Sequence, residues 1–277
     1  MIKTGVIGLG QIGGGVAQCL ARTGRLAGAY DIRPDASTGL DGVPACVETP
    51  AQLARQCGAV IIAVVTAQQV IGVLDGSEGV LAGAGPQFLI IIQSTLSMSD
   101  LSTITDLVGD RATVVDCGVT GGNQAAANKG LVALVGASPE VFERARSVLE
   151  DCSGTVLHMG GPGAGMAAKI ARNTLVYSVW RAAYEASILA RAAGVDIAKL
   201  AQAVDSSAAG VGSPMLWMDR VPPGNADDQD LRIREHVAGL LGKDLSAALE
   251  LAKELDVDLP MVSLSLKTAR QLVHLEQ

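Results

Sequence analysis

Residues 4–31 read TGVIGLGQIGGGVAQCLARTGRLAGAYD. Residues 4–7 are a short strand-like run, and Gly8, Leu9, Gly10, Gln11, Ile12 and Gly13 follow at once. A helical pattern takes over from 12 to 22, with Val16, Ala17 and Leu20 on one face. A second apolar run, 26–30, ends at Asp31. Glycine-rich turns are common, so GxGxxG alone is weak. A strand before it, a helix after it and an acid closing the next strand make the context of a dinucleotide-binding βαβ unit. Gly8 permits the tight turn, Gly10 lets the backbone approach a pyrophosphate, and Gly13 lets the helix pack closely on the strand. Leu9, Gln11 and Ile12 complete the turn, and the helix start presents N–H groups and a positive dipole end to the phosphates. Asp31 would accept hydrogen bonds from ribose hydroxyls and repel a 2′-phosphate, which favours NAD. Arg33 stands close enough to receive that phosphate, so NADP stays possible.

The alternation of strand and helix continues. Residues 58–65 (GAVIIAVV), 88–93 (FLIIIQ), 112–116, 130–136 (GLVALVG) and 155–157 read as strands, with helical patterns at 50–56, 97–108 and 139–151. Near-continuous apolar strands separated by helices mean a mostly parallel sheet covered on both faces, an α/β doubly wound fold. Ligands of such sheets sit beyond the carboxyl ends of the strands. Val64, Val65, Thr66, Ser94, Thr95 and residues 119–122 are therefore candidate contacts. In Val119-Thr120-Gly121-Gly122-Asn123 the hydroxyl and the two glycines make either a nest of N–H groups for a carboxylate or a simple tight turn.

From Gly161 to Gly194 runs an almost unbroken helical pattern opened by glycines, GPGAGMAAKIARNTLVYSVWRAAYEASILARAAG. Such a helix is about 45 Å long. Lys169 and Asn173, at i and i+4, leave one face. A Lys on an apolar helix is usually a snorkelling surface residue, but the small neighbours Gly165, Ala167, Ala168 and Ala171 leave room for a ligand beside the ammonium. Beyond Gly194 no strand stands out, and 197–206, 213–218, 231–239, 242–255 and 260–275 read as helices. The join VPPGNADDQD (221–230) reads as a solvated loop, with no metal role for Asp227, Asp228 and Asp230. Lys243 and Asp244 fall at a helix start, where a lysine is unfavourable and hints at an anionic partner.

The 277 residues suggest two domains, and 49% apolar residues supply a substantial core. A net charge of −7 without a basic stripe, and only 3% aromatics, argue against a nucleic-acid partner. The long helix is interrupted by Lys169, Arg172, Arg181, Glu185 and Arg191, so no stretch suits a bilayer. The N-terminal MIKTGVIGLG has the wrong pattern for a signal peptide. Cys19, Cys46, Cys57, Cys117 and Cys152 lack ligand spacing and fit a reducing cytoplasm. No metal is expected, and His158, His236 and His274 carry no evident role.

GLGQIG (8–13), Ser94-Thr95, Asp116-Cys117-Gly118-Val119-Thr120-Gly121-Gly122, GPGAGMAAKIARN (161–173) and GKDL (242–245) come in an order that resembles the β-hydroxyacid dehydrogenase family. That family includes 3-hydroxyisobutyrate dehydrogenase, tartronate semialdehyde reductase and, more distantly, 6-phosphogluconate dehydrogenase, and the resemblance spans essentially the whole chain. It implies a Rossmann domain (1–161) and an all-α domain (162–277) joined through the long helix, assembling as a homodimer or homotetramer. By the same resemblance Lys169 is the catalytic lysine and Asn173 its partner. Thr120, Gly121 and Gly122 hold the substrate carboxylate with Ser94 nearby, Thr95 touches the nicotinamide side, and Lys243 closes over the cofactor. Cys117-Gly118 replaces the family's Ala-Pro, which is expected to loosen a turn; Thr120 replaces Ser, and a proline after Ser94-Thr95 is missing.

The implied reaction is reversible hydride transfer between NAD and a small β-hydroxyacid. Lys169 serves as acid and base because apolar surroundings lower a lysine pKa. Imine reduction shares the architecture, but its enzymes typically lack the lysine. Decarboxylation of a sugar-acid phosphate wants more basic residues. A non-catalytic NAD-binding module would be expected to have lost Lys169 or Asn173. The pocket that selects the acid is expected around 206–218.

Overall fold

The structure, a computed structural model, describes residues 1–192, 194–207, 227–254 and 259–275, with backbone alone at 182, 184–192 and 207. The chain divides into two compact units, Met1–Lys169 and Ile170–Gln277.

The first unit is built on a seven-stranded sheet. Its strands are β1 (Thr4–Ile7), β2 (Leu26–Tyr30), β3 (Ala59–Ile62), β4 (Leu89–Ile92), β5 (Thr113–Thr120), β6 (Leu131–Gly136) and β7 (Ser153–Gly160). Their order is β2-β1-β3-β4-β5-β6-β7, parallel throughout except between β5 and β6. The strand order reverses beside β1, which makes the crevice between β1 and β3 the place where doubly wound sheets take ligands. Fully buried runs such as Ala59–Ile62 and Leu89–Ile92 explain the lack of polar alternation, since both faces are covered. The helices are α1 (Gln11–Arg22), α2 (Pro50–Arg55), α3 (Ala67–Leu74), α4 (Val80–Gly83), α5 (Met98–Val108), α6 (Gly122–Ala127) and α7 (Pro139–Leu149). Thr49, Ser97 and Ser138 cap α2, α5 and α7 through their side chains. One buried cluster, including Val6, Val16, Leu20, Ile61, Ile91, Val115, Cys117, Val135 and Val148, fills one face of the sheet.

Helix α8 (Ala164–Ala192) begins in the first unit and continues into the second. There it is followed by α9 (Ile197–Ser207), α10 (Asp228–Glu254), α11 (Pro260–Lys267) and α12 (Ala269–Leu272). Ala183, Ala238, Leu241, Ala269, Leu272 and Val273 form that unit's core, flanked by Tyr177 and Trp180.

Several elements differ from the sequence expectation. The strand expected at 112–116 runs on to Thr120, because its second half pairs with β6 after β4 has ended at Ile92. Gly118 therefore lies inside a strand and loosens no turn. The last strand is eight residues rather than three, held by parallel pairing to β6. The helices expected at 231–239 and 242–255 are one: Gly239 and Gly242 sit within α10, since a glycine costs a helix only about 1 kcal/mol. Lys243 and Asp244 are thus mid-helix, and the hint drawn from a helix start falls away. Asp227 Oδ1 accepts from the N–H groups of Gln229 and Asp230, so these acids open α10 instead of lining a loop. The segment 260–275 breaks at Thr268. Helices α3, α4 and α6 were not anticipated. The expected helix at 213–218 and most of the expected selectivity pocket at 206–218 lie outside the described residues.

Candidate active site

The turn after β1 is held by two glycines and left open by a third. Gly8 adopts φ +87 and donates its N–H to Tyr30 O at 2.8 Å. A Cβ at Gly13 would lie 1.8 Å from Gly8 O, so α1 reaches the strand only through glycine. A Cβ at Gly10 would meet nothing within 4 Å, although Gly10 is the N-cap of α1. No side chain caps this helix and no acid stands in its first turn. The first turn of α1 therefore carries neither a side-chain cap nor an acid, and open space lies above the backbone of Gly10. That is the condition a pyrophosphate requires.

Asp31 anchors the far side of the turn. Its Oδ2 accepts from Leu9 N at 2.7 Å, and its Oδ1 from Arg33 N and Nε at 3.0 and 3.1 Å. Burial pushes the carboxyl pKa up, but the hydrogen bonds from Arg33 and Leu9 together outweigh it and leave the net shift downward. The carboxylate is thus held ionised and oriented, with the Arg33 side chain latched on its outer face. Ile32 between them is 87% exposed, an apolar side chain that the sequence pattern did not single out.

Val64, Val65 and Thr66 follow β3. Their N–H groups are taken inside the protein: Val64 N donates to Ser94 Oγ at 3.1 Å, and Val65 N and Thr66 N to Gln69 Oε1. Thr66 and Gln69 form a complete capping box on α3. What this segment offers a ligand is side-chain surface, chiefly Val65, which is 58% exposed. Ser94 is buried and Thr95 half-buried at the end of β4.

Beyond the last β4–β5 pair, Ile92 with Asp116, β5 continues as Cys117-Gly118-Val119-Thr120. Asp116, Gly118 and Thr120 share one face by the two-residue period of a strand. Lys169 lies against that face, for a Cβ on Gly118 would sit 2.3 Å from Lys169 Cβ and 2.9 Å from its Cγ. The lysine is 9% exposed, so the bland reading of a snorkelling surface residue does not apply. After Thr120, Gly121 (φ +129) and Gly122 (φ +75) turn the chain into α6 through conformations that favour glycine. Gly15 of α1 packs against the Ala126–Ala127 backbone, which sets this turn's helix beside the one that follows Gly8–Gly13.

Asp116 is the residue here that sequence reasoning passed over. It is 2% exposed, with Oδ1 accepting from Gly163 N and Oδ2 from Met166 N, both at 2.7 Å. Burial pushes its carboxyl pKa up more than these bonds lower it. An acid closing an apolar strand, followed in the sequence by a helix whose lead-in is Gly-Pro-Gly, was the available signal.

In the second unit, Asn173 is 1% exposed and its Nδ2 donates to Asp244 Oδ2 at 2.7 Å. Tyr177 Oη donates to the same oxygen at 3.0 Å, Arg172 Nη1 donates to Asn173 Oδ1, and Lys243 Nζ stands 3.6 Å from Asp244 Oδ1. Burial, then the Asp244 charge, pushes the Tyr177 phenol pKa far up, so it stays a donor. Asp244 and Tyr177 were missed as partners of Asn173. The i, i+4 spacing of Asn173 and Tyr177 and the GKDL motif at 242–245 were the traces of this cluster in the sequence.

Residues 3–161 match the NAD binding domain of 6-phosphogluconate dehydrogenase, and residues 163–276 match the NAD-binding region of NADP-dependent 3-hydroxyisobutyrate dehydrogenase. The chain belongs to the β-hydroxyacid dehydrogenase family. Among its relatives, the L-threonate dehydrogenase of Escherichia coli K12 is 31% identical over 95% of this chain and 86% of its own. The NAD-dependent L-serine dehydrogenase of Pseudomonas aeruginosa is 30% identical over 99% and 93%. The 3-hydroxyisobutyrate dehydrogenase structure from Salmonella typhimurium superposes with a TM-score of 0.82 at 28% identity, covering 97% of this chain and 93% of that one. This β-hydroxyacid dehydrogenase is accordingly an NAD(P)-dependent oxidoreductase. Among the described residues no helix is long and apolar enough to cross a membrane.

Proposed function

We propose that this β-hydroxyacid dehydrogenase moves a hydride between NAD and a small β-hydroxyacid, or its semialdehyde or keto form, with Lys169 as the general acid and base. The observation that carries the assignment is the buried stem of Lys169 laid across Gly118, on the β5 face that also bears Thr120 and past the end of β4. NAD, when bound, supplies the hydride acceptor; NADP is the alternative, received through Arg33. Gly8 to Gly13 hold the pyrophosphate, Asp31 the ribose, and Ile32 and Val65 cover the adenine with exposed apolar surface. Val64, Thr66 and Thr95 complete the cofactor side, and the family resemblance adds Lys243 to the cofactor-binding residues. Thr120, Gly121 and Gly122 hold the substrate carboxylate, and Ser94 stands on the same side. Asn173, oriented by Asp244 and Arg172, steadies the reacting oxygen, while Lys169 takes the hydroxyl proton in oxidation and returns it in reduction.

The relatives named for L-threonate, L-serine and 3-hydroxyisobutyrate support a short carboxylate bearing a hydroxyl. In this reading 1–161 carries the cofactor and 162–277 the remaining substrate contacts and the homodimer or homotetramer interface. Five free thiols fit work in the cytoplasm.

A panel of short hydroxyacids and aldehyde acids, followed by NADH absorbance, should give turnover with the native chain. Lys169→Ala should lower kcat roughly 10²–10⁴-fold and leave the NADH dissociation constant unchanged. Near-native turnover by that variant overturns the assignment of the lysine.

A further inference from the structure

We infer that Asp116 is the positioning residue for Lys169: its carboxylate caps α8 from across the fold and thereby fixes where the lysine stem lies on β5. The inference rests on the reading of Lys169 as the acid–base group.

A helix start leaves four N–H groups without intrahelical partners. The usual remedy is a pair of local side chains, one on the N-cap that accepts from the third helical N–H, and one three residues on that reaches back to the N-cap N–H. Helix α8 has neither, since Gly161, Pro162 and Gly163 lead in and Met166 occupies the third position. One carboxylate from a strand 47 residues earlier does both jobs, Oδ1 on the N-cap Gly163 N–H and Oδ2 on Met166 N–H. The negative charge also faces the positive end of the helix.

Three glycines turn this cap into a clamp. A Cβ at Gly136 of β6 would lie 2.4 and 2.5 Å from the Asp116 carboxylate oxygens. A Cβ at Gly165 would lie 2.4 Å from Leu134 O and 2.7 Å from Asp116 O, so the helix backbone rests directly on β5 and β6. A Cβ at Gly118 would strike the Lys169 stem. Holding the N–H groups of 163 and 166 fixes both the height and the rotation of the first turns. Gly165 and Lys169, four apart, then share the stripe facing β5. Lys169 is delivered over Gly118 by that geometry.

The cap requires a carboxylate, which has two acceptors and no donor; an amide turns a donor toward one of the N–H groups. A cavity of about 380 Å³ lined by Thr105, Arg111, Val114, Pro162 and Gly163 reaches Asp116. A small anion therefore has a route to the helix start once the side chain is shortened.

The test compares the native chain with Asp116→Asn, Asp116→Ala and Lys169→Ala under conditions where each is folded and binds NADH. Displacement of the lysine by about 1 Å should lower kcat about 10²-fold in Asp116→Asn, with the NADH dissociation constant unchanged. Added formate should restore part of kcat in Asp116→Ala and none in Lys169→Ala, a response that loss of stability alone does not give. A native kcat in folded Asp116→Asn overturns the inference. If the native chain turns over no acid in the panel, it is the proposed function that fails. The clamp is then read by labelling Lys169 with pyridoxal phosphate and borohydride. A faster rate in Asp116→Asn or Asp116→Ala supports the inference, and the native rate in both overturns it.

Discussion

Gly10 and Gly13 stand three apart in one turn and are glycines for opposite reasons. At Gly13 a methyl group has nowhere to go, being 1.8 Å from a carbonyl oxygen, whereas at Gly10 it would enter empty space. Gly13→Ala should therefore destabilise the fold by about 1–3 kcal/mol or more, read as a lowered melting temperature. Gly10→Ala should melt like the native chain yet bind NADH about tenfold more weakly, about 1.4 kcal/mol, because the methyl sits where the pyrophosphate approaches. The same separation of roles explains what the sequence made legible at this scale. Gly8, Gly13 and Asp31 act within one βαβ unit, so their spacing reports their geometry. Asp116 acts on residues 47 and 50 positions away, and only the fold brings them together.

Among the elements, β5 and α10 depart furthest from their sequence patterns, each for a tertiary reason. An apolar run ends at Asp116, yet the strand continues through Cys117-Gly118-Val119-Thr120 because antiparallel pairing with β6 satisfies its backbone. In α10, Gly239 and Gly242 read as breaks, but a helix of 27 residues absorbs two glycines through its packing. That continuity puts Asp244 on a buried face, where its Oδ2 receives both Asn173 and Tyr177. Asp244→Ala removes the acceptor that the buried Asn173 amide and the half-buried Tyr177 phenol share. Urea unfolding should report a loss of about 2–4 kcal/mol. The long helix was legible almost in full, its start shifting only from Gly161 to Ala164, because a 3.6-residue period sustained over many turns has no competing reading.

For the whole molecule, the order of strand and helix announced the doubly wound class, and near-continuous apolar strands announced a sheet covered on both faces. The single antiparallel step between β5 and β6 was silent, since a buried strand looks alike in either direction. The two family domains meet at 161–163, which makes 1–161 look like a module ready to be excised. That seam passes between Asp116 and both groups that satisfy it. A fragment ending at 161 should be less stable than one ending at 175 by roughly 3 kcal/mol, measured by thermal melting with and without NADH. Modularity in the evolutionary record is thus no guarantee of autonomy. In this chain the sheet lends its buried carboxylate to the helix that follows the seam, so a cut at 161 parts lender from borrower.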